Sequence, residues 1–458
     1  MKKNIYQIFI GCLFIIVMVS CKKGYLDARP DKALLVPSTL ADFQAILDNT
    51  DIMNKAPYLN EVSTDDIYTT DNGFAGADPV IQQSYIWAKD IFQGQSGYDW
   101  NVPYQQVFYA NVVLDGLQKI DQLAVSQMQY NQIKGNALFH RAFAFYNLAQ
   151  EFAKPYNVNT AGQDLGIPLR LSSDVNEKST RGTLQATYDQ IISDLIAAEP
   201  LLPLQAGYKS RPNHSAVLGL LAKVYLTMQN YTKAATYANA SLQLNGKLID
   251  YNTLNPAGAR PLPMSLPNGN DEVQYYTPLL YSLFLSSSSL TAIDSTLYRS
   301  YNVNDLRKTV FFRDRGNGRY TFKGGYGGVS DVFGGIANDE IYLIRAECYA
   351  RANQTADAMS DLNTLLKNRY KTGTFTSLTA TNGDDALSKI LTERRKELIY
   401  RNVRWTDLRR LNQDSRFAVT ITRNINGTIY TLSPGSNRYV FPIPQDEINY
   451  SGIQQNQR

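Results

Sequence analysis

The densest run of ionisable side chains lies at 393–410. Glu393, Glu397 and Arg401 follow at i, i+4 spacing, and Arg404, Asp407 and Arg410 at i, i+3, so each set shares a helix face. Two carboxylates on one face could serve glycoside hydrolysis, one as acid and one as base or nucleophile. The acid needs a pKa pushed upward, whereas neighbouring arginines push it down. The pattern therefore reads as an ion-pair network locking two helices. The chain has 2 histidines, His140 and His214, too few for a histidine metal site or a Ser-His-Asp arrangement. Asp65-Asp66 and Asp384-Asp385 supply oxygens of the kind calcium takes, although Asp384-Asp385 also suits the first turn of a helix. No cofactor is expected beyond that. Lys323-Gly324-Gly325-Tyr326-Gly327-Gly328 lacks the spacing of a phosphate cradle and reads as a mobile loop presenting Tyr326.

Tyrosine is the outlier in composition, 31 copies against 3 tryptophans. Sugar rings have apolar C–H faces that stack on aromatic planes, while amides and carboxylates bond their hydroxyls. Aromatics on loops are the ones free to do this. They are Tyr98, Tyr275, Tyr276, Tyr281, Tyr320 and Tyr326, with Trp100 beside them and Asp71, Asn72 and Asn317 as polar partners. Trp405 reads as core. The net charge is +4 over 458 residues, with no block of like charge, which excludes a nucleic-acid partner held by its phosphates. Hydrophobic residues make up 44% and charged ones 19%, which excludes intrinsic disorder as the main state.

Lys2 and Lys3 precede an apolar run, Ile8 to Val19, of signal-peptide length and too short to span a bilayer. Ser20-Cys21 closes it. This arrangement resembles the lipobox of bacterial lipoproteins, in which the cysteine receives a diacylglycerol and, after cleavage, an acyl chain such as palmitate. Several acyl chains hold a protein on a membrane where one slips off. The expectation is a leader at 1–20 and lipidation at Cys21. Cys348 then stands alone, a buried helix residue.

The elements behind these residues are mostly helical. Period-3.6 patterning predicts helices at 39–48, 102–123, 127–152, 184–199, 213–229, 231–244, 338–352, 355–370, 384–400 and 404–412. Long loops separate them at 51–100, 154–182, 246–337 and 414–446. Leu218-x2-Leu221-Ala222-x2-Tyr225 with Ala234-x3-Ala238, and Tyr342-x2-Arg345-Ala346-x2-Tyr349 with Ala358-x3-Leu362, use tetratricopeptide offsets. Leu138-x2-Arg141-Ala142-x2-Phe145 begins a further unit that resumes at 184–199, and 384–400 with 404–412 would make a fourth pair. The expected fold is mostly α, a right-handed tetratricopeptide-like superhelix of about four units with long inserted loops and a few short strands. Strands are expected within 273–285 and 417–432, the second turning at Asn426-Gly427.

Several segments in order resemble the SusD/RagB family of outer-membrane nutrient-binding lipoproteins from Bacteroidetes. They are Gly24-Tyr25-Leu26-Asp27 after the lipobox, Trp100-x3-Tyr104 leading to Ala110-Asn111, Gly166-Ile167-Pro168-Leu169, and Arg211-Pro212 with Leu221-Ala222-Lys223-Val224-Tyr225-Leu226. Then come Asp339 to Glu347, Glu393-Arg394-Arg395-Lys396-Glu397-Leu398 with Arg404-Trp405-x-Asp407-Leu408-Arg409-Arg410, and Pro442-Ile443-Pro444-Gln445 before Gln455-Asn456. Ser451 stands where the family usually has asparagine. The resemblance covers about 21–456. It implies one body at 21–458, with an N-terminal part at about 21–330 and a C-terminal part at about 331–458. It also implies a surface-exposed, lipid-anchored, non-enzymatic protein of the cell outer membrane. Such a protein captures an oligosaccharide, or in RagB-like members a peptide, and acts as lid to a SusC-like TonB-dependent transporter. A helical-repeat scaffold that binds only protein would share the paired helices but not a small-ligand pocket.

Overall fold

The computed structural model describes residues 37–458. The leader, Cys12, Cys21 and Gly24 to Asp27 lie outside them. Ten helices carry the frame: α1 (Leu40–Leu47), α2 (Tyr98–Leu117), α3 (Gln127–Phe152), α4 (Leu184–Ala198), α5 (His214–Thr227), α6 (Tyr231–Leu244), α7 (Asn338–Arg351), α8 (Thr355–Lys367), α9 (Gly383–Glu397) and α10 (Arg404–Leu411). Their starts are written in the sequence. Thr39 and Asp42 form a reciprocal capping box on α1. The side chains of Ser126, Thr183, Asn213 and Asn382 accept from backbone N–H groups in the first turns of α3, α4, α5 and α9.

The helices pack as hairpins: α2 with α3, α3 with α4, α5 with α6, α7 with α8, and α7 also against α6 and α9. Ala222 and Ala346 are fully buried, as close helix approach requires, and Tyr225 is buried beside them. α3 is buried on almost every side along its second half, its few polar residues included, so it runs through the main core. The expected fourth pair differs. α9 stacks on α7 and α8, whereas α10 turns away toward α5 and the short helix Leu59–Val62. The link between α9 and α10 is an ion pair, Arg394 Nε to Asp407 Oδ2 at 2.8 Å.

Five two-stranded sheets decorate this frame. Ile421–Ile425 and Thr428–Leu432 form the hairpin that Asn426-Gly427 announced, with φ of 49° and 77° at the turn. Val273–Tyr275 pairs not with its own continuation but with Ile336–Ala337, tying the long insertion back to the start of α7. Leu165–Pro168 pairs with Arg181–Thr183, which closes the loop between α3 and α4.

The charge run at 393–410 is buried and paired. Arg307 meets Asp305, Glu393 and Glu397 at 2.6–3.0 Å, and Arg369 bridges Glu397 at 2.7 Å and Glu272 at 2.8 Å. Arg410 holds Glu347 at 2.6 Å, and Arg401 holds Asp339 at 2.6 Å. Burial opposes ionisation of Asp407, but Arg394 and Arg410 outweigh it and hold the carboxyl at about 2.

Candidate functional site

Helical spacing builds one wall of a groove along α2. Trp100, Tyr104 and Phe108 follow at i, i+4 and i+8, with Asn101 and Gln105 offset by one residue. Pro168, Arg170, Ser172, Val175 and Ser179 supply the facing loop, and Glu447 and Tyr450 the end wall, from the short helix α11 (Gln445–Ser451). The cavity is about 590 Å³, large enough for a few sugar rings. Trp100 is only 3% exposed, its ring 4.7 Å from that of Tyr104 and edge-on to Phe152. Phe108 is 37% and Tyr450 79% exposed, so the aromatic wall grades from fixed to open.

The loop opposite is fastened tightly. Tyr104 Oη donates to Pro168 O at 2.8 Å. Asn111 Nδ2 donates to Arg170 O at 2.9 Å and Ser172 O at 3.1 Å, and Asn111 Oδ1 accepts from Arg141, itself paired with Asp194 at 2.7 Å. Ser173 N and Oγ donate to Asp115. Arg170 donates to the backbone carbonyls of Glu177 at 2.6 Å and Asp174 at 2.5 Å. Two polar atoms remain shielded from solvent without a partner: Arg170 Nε and Glu447 Oε1. Both residues line the groove. A depression of about 650 Å³ beside Tyr156 and Tyr231 is lined by amides and has no charged side chain. The groove combines an aromatic wall with unpartnered charged atoms, the pairing that holds and orients a polar ring.

The sequence-derived candidates scatter. Trp100 lines the groove. Tyr98, expected on a loop, is instead the first residue of α2, 64% exposed, one turn before Asn101 and two before Gln105 on the same stripe. Tyr281 is 76% exposed, but it follows Leu280, whose N–H bonds Ala56 O, on another part of the surface. Asp71 accepts from Asn426 N at 2.8 Å at the hairpin turn, and Asn72 is exposed beside it. Asn317 sits at a turn with φ 53°, and Tyr320 stacks on Tyr298 at 3.4 Å between centroids.

Three tyrosines expected on loops are core residues instead. Tyr275 is 0% exposed, packed edge-on to Phe139 and Phe143 with its hydroxyl against Asn54 and His140. Tyr276 is buried against Phe333. Tyr326 is buried, its hydroxyl donating to Glu272 and its ring under the Arg401 guanidinium at 3.8 Å. The glycine-rich segment around it is therefore a tight wrap rather than a mobile loop, with Gly325 pressed against Asp331 O and Gly327 against the Tyr276 ring. The insertion adds its aromatics to the main core, so an aromatic in a loop by sequence is not on the surface by structure.

The expected calcium ligands Asp65 and Asp66 are taken by guanidinium groups. Arg404 Nε lies 2.7 Å from Asp65 and Arg395 Nε 2.8 Å from Asp66. Asp384 and Asp385 meet Arg416 at 2.6 Å and Lys389 at 2.7 Å. His140 is buried, and burial lowers its pKa to about 4. Trp405 packs against Tyr439 and Phe441 in the core.

One carboxyl pair does have raised pKa values. Asp99 Oδ2 accepts from Tyr58 N and Leu59 N at 2.9 and 2.7 Å, and Glu151 Oε1 from Asn60 N at 3.3 Å. Burial pushes Asp99 up to about 7 and, with the charge of Asp99, drives Glu151 upward too. Together the two carboxyls hold the segment 58–60 in place. Neither lines the groove, where Glu447 is the single acid. A two-carboxylate hydrolysis has no second partner there.

Two family models match the chain. One, described as "Starch-binding associating with outer membrane", covers residues 24–226, and one described as "SusD family" covers 339–457. No curated protein matches. Among solved structures, a SusD superfamily protein from Bacteroides thetaiotaomicron is 22% identical, with TM-score 0.74 over 92% of this chain and 100% of that one. A SusD superfamily protein from Bacteroides vulgatus is 19% identical, with TM-score 0.75 over 92% and 99%. Surface glycan-binding protein A from Bacteroides uniformis is 17% identical, with TM-score 0.71 over 91% and 99%. At these identities the likeness is one of fold. Among the described residues, no helix is long and apolar enough to cross a membrane.

Proposed function

Because this chain belongs to the SusD superfamily, we propose that it is a cell-surface glycan-binding lipoprotein, anchored to the outer membrane through Cys21. It captures oligosaccharides in the groove beside α2 and passes them to a SusC-like TonB-dependent transporter, for which it serves as a lid. It binds and does not catalyse. One observation carries the reading: a groove of about 590 Å³ in which Phe108 and Tyr450 are open beside the packed rings of Trp100 and Tyr104, next to Asn101, Gln105, Arg170 and Glu447. The family match to a starch-binding, outer-membrane-associated description supports both the ligand class and the location.

The test is calorimetric titration of the full-length chain in mild detergent with plant, host and microbial oligosaccharides, and with peptides as a second set. Saturable binding to one glycan class is expected. Phe108→Ala combined with Tyr450→Ala should weaken it at least about tenfold without moving the melting temperature. Binding that ignores both substitutions would place the site elsewhere, and binding to peptides alone would overturn the sugar assignment. Cys21→Ala should release a folded protein from the membrane fraction.

A further inference from the structure

The polar atoms of the groove are not balanced for a neutral sugar. Arg170 has five N–H donors, of which three are spent, on the carbonyls of Asp174 and Glu177 and on Ser179 Oγ. Its Nε is closed off from water and unpartnered. Among the described residues, no carboxylate stands within ion-pair distance of it. The nearby acids point their oxygens elsewhere: Asp115 of α2 to Ser173, and on the facing loop Asp174 to Asn176 and Glu177 to Ser172 Oγ at 3.1 Å. Just behind, Arg181 spends its donors on the carbonyls of Gly166 and Gln454 and on Asn456, again with no carboxylate. Burial lowers its pKa to about 10. Both guanidiniums and Glu447 act electrostatically on the Tyr104 phenol, Arg170 and Glu447 from the groove lining and Arg181 from behind it. Their sum is positive. A partly desolvated guanidinium without a counter-ion is costly, and a planar carboxylate satisfies it through paired N–H donors.

We propose that the oligosaccharide this groove selects carries a carboxylate, with a uronate seated on Arg170 and its hydroxyls turned toward Glu447. The inference rests on the glycan reading above and narrows its substrate class. Glu447 accepts hydroxyl hydrogens and at the same time sets the direction of the chain, because a second carboxylate cannot sit against it.

The experiment pairs each uronate oligomer of a panel, oligogalacturonate first, with the same oligomer after reduction of its carboxyls to alcohols. The full-length chain is titrated with both at low and at high salt. The acid form of one oligomer is expected to bind about tenfold tighter or more at low salt, with the advantage shrinking as salt rises. Arg170→Lys should keep part of the preference, and Arg170→Met should erase it. Arg170 also fastens the facing loop, so Glu447→Gln provides an independent reading: removing the nearby negative charge should tighten the acid form. Equal or tighter binding of the reduced oligomer, or weaker acid binding in Glu447→Gln, overturns the uronate assignment. If a neutral oligomer still binds and is lost with Phe108→Ala, the glycan site stands and only its class changes. Binding to peptides alone, or to nothing in either panel, overturns both readings.

Discussion

Arg307 shows what the charge run at 393–410 does. Its guanidinium is fully buried and shared by Asp305, Glu393 and Glu397. Burial opposes its charge, yet three carboxylates more than restore it. Arg307→Met would remove the cation that joins all three carboxylates, leaving only Lys396 and Arg369 at the edges of the cluster, so a loss of about 3–5 kcal/mol in denaturant unfolding is expected. The i, i+3 and i, i+4 spacing made this network legible, because arginines alternate there with acids on shared helix faces. Arg307, Arg369 and Glu272 were not legible, since they reach the network from more than 20 residues away in sequence. Tyr275 was misplaced for the same reason. Its strand partners at 336–337 and its ring partners on α3 lie far along the chain. Tyr275→Ala should cost about 3–5 kcal/mol and Tyr275→Phe about 1 kcal/mol, with ligand affinity unchanged in both.

At the level of elements, α3 and α6 match the apolar period at both ends, whereas α2 is displaced, running Tyr98–Leu117 where that period predicts 102–123. Helical patterning is local, so a single chain displays it. What it hides is function on a helix face. Trp100, Tyr104 and Phe108 repeat every four residues, and such a stripe usually means packing, which is why the loop tyrosines looked the better candidates. The stripe packs at Trp100 and opens at Phe108. Arg170, Glu447 and Tyr450 left no signal in spacing, because the fold alone brings their segments together. The hairpin at 421–432 was legible from two residues. Asn426 and Gly427 both take the left-handed region, where a side chain is strained. Gly427→Val should lower stability by about 1–2 kcal/mol in a thermal melt. It should leave groove binding intact, because the hairpin contributes no residue to that wall.

Across the whole molecule, the buried acids fall into two groups with opposite responses to pH. Glu61 and Asp99 are raised by burial from 4.5 and 3.8 to about 8 and 7, and Glu151 is raised with them. Their contribution is complete below the unfolded values and is lost as pH climbs through about 7–8, since the unfolded chain gives up these protons first. Asp407, held at about 2, contributes above its unfolded value and loses that contribution as pH falls toward 2. Stability should therefore peak in weak acid and decline from about pH 5 to pH 9. Glu61→Gln keeps the acceptor for Asn402 N and should flatten that decline, measured as melting temperature against pH.

The groove also has a timetable. Its α2 wall is made early in synthesis, its facing loop next, and its end wall, Glu447 and Tyr450, only after the repeats are complete. The stretch 453–456 then stitches that wall down: Gln455 clasps Ile443 and Asn456 joins Phe152, Phe441 and Arg181. A nascent chain halted at Pro444 has every helical pair in hand but an open-ended trough in place of a binding site. The end wall is thus the last part of the groove to leave the ribosome, and a copy clipped after Pro444 would lack Glu447 and Tyr450.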